Sequence, residues 1–148
     1  MAPAAAAEIL LVEDNPHDAE LALRALKTQG LADKVRVFHD GAEALTFIFG
    51  QDGEGKWQGT HRPRLILLDL KLPKVDGLEV LRRIKTDDST KIVPVVIMTS
   101  SQEDEDIAAS YRLGANSYVV KPVDFDRFVN SVVELGLYWL GLNKTPPG

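Results

Sequence analysis

The sequence predicts an α/β domain built on a doubly wound parallel sheet, and three observations lead to this prediction. Five short apolar segments rich in branched residues alternate with five segments of helical spacing along the 148 residues. The strand segments are almost continuously apolar, as expected for strands with helices on both faces. Polar and charged residues stand directly after several of these strands, where such sheets bind ligands.

The first strand and helix meet at a junction of acidic and capping residues. Residues 8–13, with the sequence EILLVE, form an apolar run that predicts a buried strand. Asn15 can cap the following helix, with Pro16 at its first position, where a missing N–H does no harm. Gly30 is placed to end this helix.

The second strand and helix are followed by a long connection. Residues 34–39 alternate in polarity, which predicts a strand with one wetter face at an edge of the sheet. Asp40 can cap a helix that runs to about Phe49. Residues 50–63 are rich in glycine and lack periodicity, which predicts a surface loop.

The second half of the chain repeats the alternation three times. The predicted strands lie at residues 64–69, 92–99 and 117–120. The predicted helices lie at residues 77–87 and 103–113 and from Asp124 onward. The sequence has no internal repeat and no low-complexity block, so we expect these elements to form one domain.

The composition limits the classes of function. The chain carries a formal net charge of -5 and no cysteine, so thiol chemistry is excluded and nucleic acid is not an expected partner. No apolar run reaches the ~20 residues of a membrane span, and the start lacks the basic region of a signal peptide, so we expect a cytoplasmic protein. We expect residues 1–7 to be a disordered tail, residues 8–134 the folded domain, and residues 135–148 an extension.

Five residues at the predicted strand ends carry the expected chemistry. They are Glu13 and Asp14 after the first strand, Asp69 after the third, Thr99 at the end of the fourth and Lys121 after the fifth. Because the carboxyl ends of parallel strands share one edge, these side chains should lie together. Three carboxylates in one place would raise the pKa of at least one of them unless a cation is bound. Mg²⁺ suits such a site, because it takes carboxylate ligands and keeps positions for water and phosphate oxygens.

Four motifs around these positions resemble the signature of response regulator receiver domains in two-component signalling. They are LLVEDN, LILLDLKLPKVDG, VVIMTSS and SYVVKPV, in the order of that family. The similarity covers roughly residues 9–133. The resemblance implies a flavodoxin-like five-stranded sheet in the order 2-1-3-4-5 with five helices. It also implies a phosphoacceptor that catalyses only its own phosphoryl transfer and dephosphorylation.

The resemblance assigns a role to each residue near the metal. Asp69 would accept a phosphoryl group from the phosphohistidine of a sensor histidine kinase, and carboxylates are known nucleophiles in such transfers. The implied Mg²⁺ ligands are Asp14 and Asp69 directly, Glu13 through water, and the backbone carbonyl of Lys71. Mg²⁺ is therefore the expected cofactor.

The resemblance also assigns the phosphate-binding and switching residues. Lys121 would pair with one phosphoryl oxygen, and the hydroxyl of Thr99 would hydrogen-bond another. In the implied switch, Thr99 moves toward the phosphoryl group and the ring of Tyr118 swings into the vacated space. An ordinary half-buried strand tyrosine is the alternative. The peptide bond before Pro122 is cis in the family, and an ordinary trans turn is the alternative.

Lys71 departs from the small polar residues that are common at its position in the family. We hypothesise that its side chain shields the acyl phosphate from water and lengthens the phosphorylated lifetime. A solvated surface cation is the alternative. A lysine here also argues against an aspartate-based phosphatase, which would place a second Asp at this position.

The last helix continues into an apolar extension. Leucine and aromatic residues crowd residues 135–142, and a free helix end would not normally expose so much apolar surface. The extension resembles that of regulators that partner bacterial phytochromes, which implies a homodimer. Packing on the chain's own domain is the alternative. The candidate dimer residues are Tyr138, Trp139 and Leu140.

These features predict a single-domain response regulator whose phosphorylation switches its protein contacts. Its expected partner is a sensor histidine kinase, with a bacterial phytochrome as one candidate. A phosphorelay intermediate, a phosphate sink and a phosphorylation-independent scaffold remain alternatives. A flavin-binding module of the same fold is disfavoured, because Glu13 and Asp14 would repel a flavin phosphate.

Overall fold

The computed structural model describes residues 8–50, 62–122 and 124–146, which adopt the predicted α/β fold. The strands are β1 (Ile9–Val12), β2 (Val35–Phe38), β3 (Leu65–Leu68), β4 (Val95–Thr99) and β5 (Ser117–Val120). The helices are α1 (Pro16–Lys27), α2 (Gly41–Phe49), α3 (Gly77–Thr86), α4 (Asp104–Arg112) and α5 (Phe125–Gly136). A 3₁₀ turn at Ala32–Lys34 precedes β2, and a π-helical segment at Leu137–Leu142 follows α5.

The strands form one parallel sheet in the order β2-β1-β3-β4-β5, as predicted. The central strands β1, β3 and β4 are buried along their whole length, whereas β2 and β5 form the edges and are partly exposed. This confirms the prediction of a wetter β2 at an edge. Parallel strands with helices on both faces are expected to be buried in this way.

The core has two layers because successive strand residues point to opposite faces of the sheet. In β1, Leu10 and Val12 pack in the layer that includes residues of α2 and α3. Ile9 and Leu11 pack in the other layer, with residues of α1 and α5. The helices therefore cover both faces and leave the carboxyl ends of the strands free to form a site.

Gly77, at the start of α3, lies very close to the backbone of Asp69 and Leu70, which follow β3. The N–H of Gly77 donates to the carbonyl of Leu70 at 2.8 Å. A Cβ added to Gly77 would lie 2.2 Å from the carbonyl oxygen of Asp69 and 2.5 Å from the Cα of Leu70. Backbone atoms cannot yield at such distances, so this close approach requires glycine.

The extension after α5 packs partly on its own domain. Trp139 and Leu140 are half-buried against the core layer that α1 and α5 share. The guanidinium of Arg64, just before β3, donates to the carbonyl of Leu140 at 2.7 Å. The side-chain amide of Gln29 donates to the carbonyl of Val133 in α5 at 2.7 Å. Two of the three candidate dimer residues therefore contact their own domain.

The opposite side of the extension is exposed. The exposed fractions of Leu137, Tyr138 and Leu142 are 58%, 49% and 76%. The ring of Tyr138 meets that of Trp139 edge to face, with 4.9 Å between centroids. Of the candidate dimer residues, only Tyr138 lies on this outer side.

Two sequence predictions fall outside the described residues. These are the N-terminal tail at 1–7 and most of the loop at 50–63, of which residues 51–61 are not described. Across the ranges that are described, no helix has the length and apolar character needed to cross a membrane.

Candidate functional site

Three carboxylates meet at the carboxyl ends of β1 and β3. Glu13 and Asp14 follow β1, Asp69 follows β3, and one ligand oxygen from each lies within 4.8 Å of the others. The two strands are adjacent and in register, with Val12 opposite Leu68, so the residues that follow them emerge side by side. Glu13 and Asp69 are buried, and Asp14 is exposed.

The ammonium of Lys121 lies among these carboxylates. Its Nζ donates to Oδ2 of Asp69 at 2.8 Å and to Oε1 of Glu13. It also donates to Oδ2 of Asp18 at 2.9 Å. The side chain of Lys121 is 10% exposed. All three N–H donors of this ammonium therefore have carboxylate acceptors.

The charges of the site shift the pKa values of its members in opposite directions. Burial raises the pKa of Asp69, but hydrogen bonding and attraction from Lys121 outweigh burial, so the pKa lies below its ordinary value. Burial raises the pKa of Glu13 to about 7, and Lys121 only partly opposes this. The repulsion expected among the clustered acids contributes through Asp69, but burial is the larger cause of the raised pKa of Glu13.

Lys121 itself stays charged in this environment. Burial lowers the pKa of Lys121, but its hydrogen bonds to the three carboxylates outweigh burial, so the pKa lies above its usual range. Lys121 is placed here because its N–H donates to the carbonyl of Thr99 at 2.7 Å, which extends the pairing of β5 with β4 by one residue. The site thus combines one permanent cation with more than one unit of negative charge.

Thr99 and Tyr118 occupy connected positions beside the site. Thr99 ends β4 and is fully buried, and a hydrogen bond from its side chain helps to lower the pKa of Asp69. The hydroxyl of Tyr118, in β5, donates to the carbonyl of Ser101 at 3.0 Å. The hydroxyl of Ser101 donates to the Asp106 carboxylate at 2.6 Å. Tyr118 is therefore connected to α4 through the segment that follows Thr99.

Lys71 contributes its backbone to the site and its side chain to the surface. Its N–H lies 3.2 Å from Oδ1 of Asp69 and donates to that oxygen. Its exposed side chain borders the open cleft that Glu13, Asp14 and Asp69 also line. The role of its carbonyl as a metal ligand stays a prediction.

The prediction of a cis peptide bond before Pro122 is wrong for this structure. In the described ranges, which contain both Lys121 and Pro122, no peptide bond is cis. Trans is the favoured form of most X–Pro bonds, and the ammonium of Lys121 reaches its carboxylate partners with the bond in that form.

Asp18 is a member of the site that sequence reasoning missed. It lies in the first turn of α1, where the side chain of Asn15 caps the helix by accepting from the N–H groups of His17 and Asp18. A first-turn acid is ordinarily explained by the helix dipole alone. Its position beside the carboxyl end of β1 was the available signal that it could face the site.

The donor set suits a hard divalent cation. Carboxylate oxygens are the ligands that Mg²⁺ and Mn²⁺ prefer, and three are within reach of one point here. Lys121 supplies one positive charge, whereas three carboxylates meet here, so a further cation would be favoured. Glu13, Asp14 and Asp69 are therefore the residues that could hold such an ion.

The family model of the response regulator receiver domain matches residues 9–133. The probable methanogenesis regulatory protein FilR2 of Methanothrix harundinacea is 41% identical over 138 residues, which are 93% of this chain and 86% of that protein. The response regulator Rcp1 of Synechocystis is 39% identical over 132 residues, which are 89% of this chain and 88% of that protein.

Solved structures of response regulators are similar to this fold, and two of them are phytochrome response regulators. The phosphorylated cyanobacterial phytochrome response regulator RcpA superposes with a TM-score of 0.85 at 38% identity, over 97% of this chain and all of that chain (100%). The Mn²⁺-bound form of Rcp1 has a TM-score of 0.83 at 37% identity, over 94% and 98% of the two chains. The bacteriophytochrome response regulator RtBRR has a TM-score of 0.68 at 48% identity, over 95% and 84%.

Proposed function

The chain belongs to the response regulator receiver domain family, and we propose that Asp69 is its phosphoacceptor. In this proposal, Asp69 takes a phosphoryl group from the phosphohistidine of a sensor histidine kinase, and the transfer changes the contacts that the protein makes with others. The observation that carries the proposal is the convergence of the buried Asp69 carboxylate with two further carboxylates and the ammonium of Lys121.

The transfer requires an anionic nucleophile. The pKa of Asp69 lies below its ordinary value, so its carboxylate is ionised at neutral pH. One carboxylate oxygen attacks the phosphorus and a P–O bond forms. The P–N bond to the histidine ring breaks, and its electron pair stays on the ring nitrogen. The product is an acyl phosphate on Asp69.

Neutralising the charge of the phosphoryl oxygens is the main task of the surrounding residues. Lys121 holds a positive charge 2.8 Å from an oxygen of Asp69, and would pair with a phosphoryl oxygen after the transfer. Thr99 has a buried hydroxyl close to Asp69 and would hydrogen-bond another oxygen. Tyr118 would respond to the movement of Thr99 as the second part of the switch.

Glu13, Asp14 and Asp69 would hold the Mg²⁺ ion, with the carbonyl of Lys71 as a further ligand. The carboxylate donor set supports this assignment, as does the Mn²⁺-bound form of the similar Rcp1. When bound, Mg²⁺ supplies positive charge to the phosphoryl oxygens and orients them for transfer.

The lifetime of the acyl phosphate would be set by the same cleft. We propose that the chain catalyses only its own phosphoryl transfer and dephosphorylation. In dephosphorylation, water attacks the phosphorus, the P–O bond to Asp69 breaks, and inorganic phosphate leaves with the Asp69 carboxylate restored. We propose that the side chain of Lys71 limits this attack. The exposed position of Lys71 at the border of the cleft supports that role.

A bacterial phytochrome is the kinase that we propose as partner, in the cytoplasm, where ATP for the kinase is available. The support for this assignment is the similarity to RcpA and RtBRR, both regulators of phytochrome systems. Phosphotransfer from purified kinases, with and without a photosensor, tests it.

We also propose a homodimer in which the second copy covers the outer side of the extension. Leu137, Tyr138 and Leu142 expose about half or more of their surface within six residues of chain. Exposed apolar residues that lie close together in this way often mark a surface that binds another protein. Trp139 and Leu140 would pack between this surface and their own domain, and would not contact the second copy.

Incubation with acetyl phosphate and Mg²⁺ tests the phosphoacceptor role. We expect the wild type to gain the mass of one phosphoryl group and Asp69→Asn to gain none. Asp33→Asn, at an exposed aspartate in the turn before β2, is the matched control and should behave as the wild type. A wild type that gains no mass, or an Asp69→Asn variant that gains it equally, would contradict the proposal.

A further inference from the structure

Asp18 is a partner of Lys121 to which the proposed chemistry gives no role. Its Oδ2 lies 2.9 Å from Nζ of Lys121, and its side chain is 23% exposed. Within the described part of the chain, the carboxylates close enough to share a metal ion are those of Glu13, Asp14 and Asp69. Asp18 is not one of these three carboxylates, so it would act on the transfer through its contact with Lys121.

The three hydrogen bonds of Lys121 would change differently during phosphorylation. Asp69 becomes the acyl phosphate, so its bond with Lys121 is replaced by a bond from Lys121 to a phosphoryl oxygen. Glu13 is a proposed Mg²⁺ ligand, so its charge is shared with the metal. Asp18 is neither acceptor nor ligand, so its bond with Lys121 can persist from the resting protein to the phosphorylated one.

Local structure fixes the position of Asp18 relative to Glu13. Asn15 accepts from the N–H of Asp18 at 3.1 Å through its side chain, and its own N–H donates to Oε2 of Glu13 at 3.2 Å. Pro16, with its fixed φ, occupies the first position of α1 between them. One short turn therefore sets the distance between two of the carboxylates that hold Lys121.

We propose that Asp18 is a positioning residue that keeps the ammonium of Lys121 aimed at the phosphoryl group. This inference rests on the proposed phosphoacceptor role of Asp69. Asp18 has two opposing effects on the transfer: its charge repels an anionic phosphodonor, and its hydrogen bond holds the cation that attracts one. The hydrogen bond acts at contact distance, whereas the repulsion acts over a longer, solvent-screened distance, so removal of Asp18 slows the transfer.

Three variants separate these effects. Asp18→Asn removes the charge and keeps the shape, and Asp18→Glu keeps a carboxylate. Glu20→Gln removes one negative charge from an exposed position two residues further along α1, where the side chain pairs with Arg24. We expect Asp18→Asn to slow phosphorylation by acetyl phosphate on the order of 10-fold at saturating Mg²⁺, as is typical when a supporting partner of a site is lost. Asp18→Glu should recover most of the rate, and Glu20→Gln should leave it unchanged.

The ammonium of Lys121 gives a readout that a purely structural role would not change. Its ¹⁵N NMR signal can be assigned by its absence in Lys121→Met, and its exchange with water can be measured in the metal-free protein. We expect slow exchange in the wild type and in Glu20→Gln, and faster exchange in Asp18→Asn.

Two results would overturn the inference. One is an Asp18→Asn protein that is phosphorylated at the wild-type rate or faster, and the other is an equal slowing in Glu20→Gln. If Asp18→Asn does not fold, Asp18→Ser takes its place, because serine is well tolerated at the start of a helix. A wild type that forms no acyl phosphate would count against the role of Asp69, whereas the exchange measurement still decides whether Asp18 holds Lys121.

Discussion

The ammonium of Lys121 lies 2.8 Å from Oδ2 of Asp69, although the two residues are 52 positions apart in sequence. Lys121 follows β5 and Asp69 follows β3, and β4 lies between these strands in the sheet. The long side chain of lysine is therefore needed to bring a cation from an edge strand to a carboxylate at the centre. Lys121 thereby supplies the fixed positive charge that transfer of a phosphoryl group to Asp69 requires.

Glu13 should make the stability of the metal-free protein depend on pH. Its pKa rises from 4.5 to about 7 in the folded protein. A carboxyl group with a raised folded pKa contributes stability that is complete below pH 4.5 and is lost as the pH rises toward 7. The pKa of Asp69 is instead lowered from 3.8, so the contribution of Asp69 is constant across this window. We expect the free energy of unfolding in urea to fall between pH 4.5 and 7.

Glu13→Gln is the control for this pH dependence. Glutamine cannot ionise, so the decline in the free energy of unfolding should become flatter in this variant. If the wild-type free energy of unfolding stays level or rises between pH 4.5 and 7 in the presence of a chelator, the pKa of Glu13 is not raised by folding.

Gly77→Ala should damage both the fold and the site. The added Cβ would meet the backbone of Asp69 and Leu70 at 2.2 and 2.5 Å, so the loop that carries Asp69 must shift. We expect the free energy of unfolding to fall by about 1–3 kcal/mol, as for other overpacked positions, and the phosphorylation rate to fall as well. Gly141→Ala is the matched control, because an added Cβ there meets nothing within 4 Å. Equal effects of the two substitutions would contradict this prediction.

Tyr138→Ala combined with Leu142→Ala should convert the proposed dimer into a folded monomer. Both side chains lie on the outer side of the extension and are 49% and 76% exposed, so their loss removes little from the chain's own core. Sedimentation velocity measures the outcome. Trp139→Ala should mainly lower the thermal midpoint, because Trp139 packs on its own domain. A double variant that still sediments as a dimer would place the interface elsewhere.

Lys71→Asn should shorten the lifetime of the acyl phosphate. The exposed lysine borders the cleft, and a shorter neutral side chain would give water freer access to the phosphorus. We expect a several-fold faster loss of the phosphoryl group after the phosphodonor is removed. Lys74→Asn is the matched control in the same loop, since Lys74 is 69% exposed and has φ 69, which asparagine tolerates. If Lys71→Asn loses the phosphoryl group at the wild-type rate, Lys71 is a solvated surface cation with no role in the lifetime of the acyl phosphate.

The strand ends were predictable because burial and periodicity are local properties of the sequence. Once five apolar strands are read as parallel, Glu13, Asp69 and Lys121 must emerge at one edge, and the structure brings them into contact. Asp18 was not predicted, because its partner Lys121 is 103 residues away and an acid in a first helical turn already has a local explanation.

The extension and Pro122 show what local patterns leave open. The apolar run after α5 indicated a covered surface but not which side is covered. That depends on hydrogen bonds from distant parts of the chain. Arg64 donates to the carbonyl of Leu140 in the extension, and Gln29 donates to the carbonyl of Val133 in α5. A cis bond before Pro122 was implied by the family resemblance and not by the dipeptide itself, for which trans, the form found here, is the ordinary one.

Chemical location of the phosphoryl group tests the central claim most directly. Borohydride reduces an acyl phosphate on aspartate to homoserine, and peptide mass spectrometry can then identify the modified position after treatment with acetyl phosphate and Mg²⁺. We expect homoserine at position 69 and unmodified aspartate elsewhere. Homoserine at another aspartate, or at none while the protein is folded and Mg²⁺ is bound, would contradict the role of Asp69.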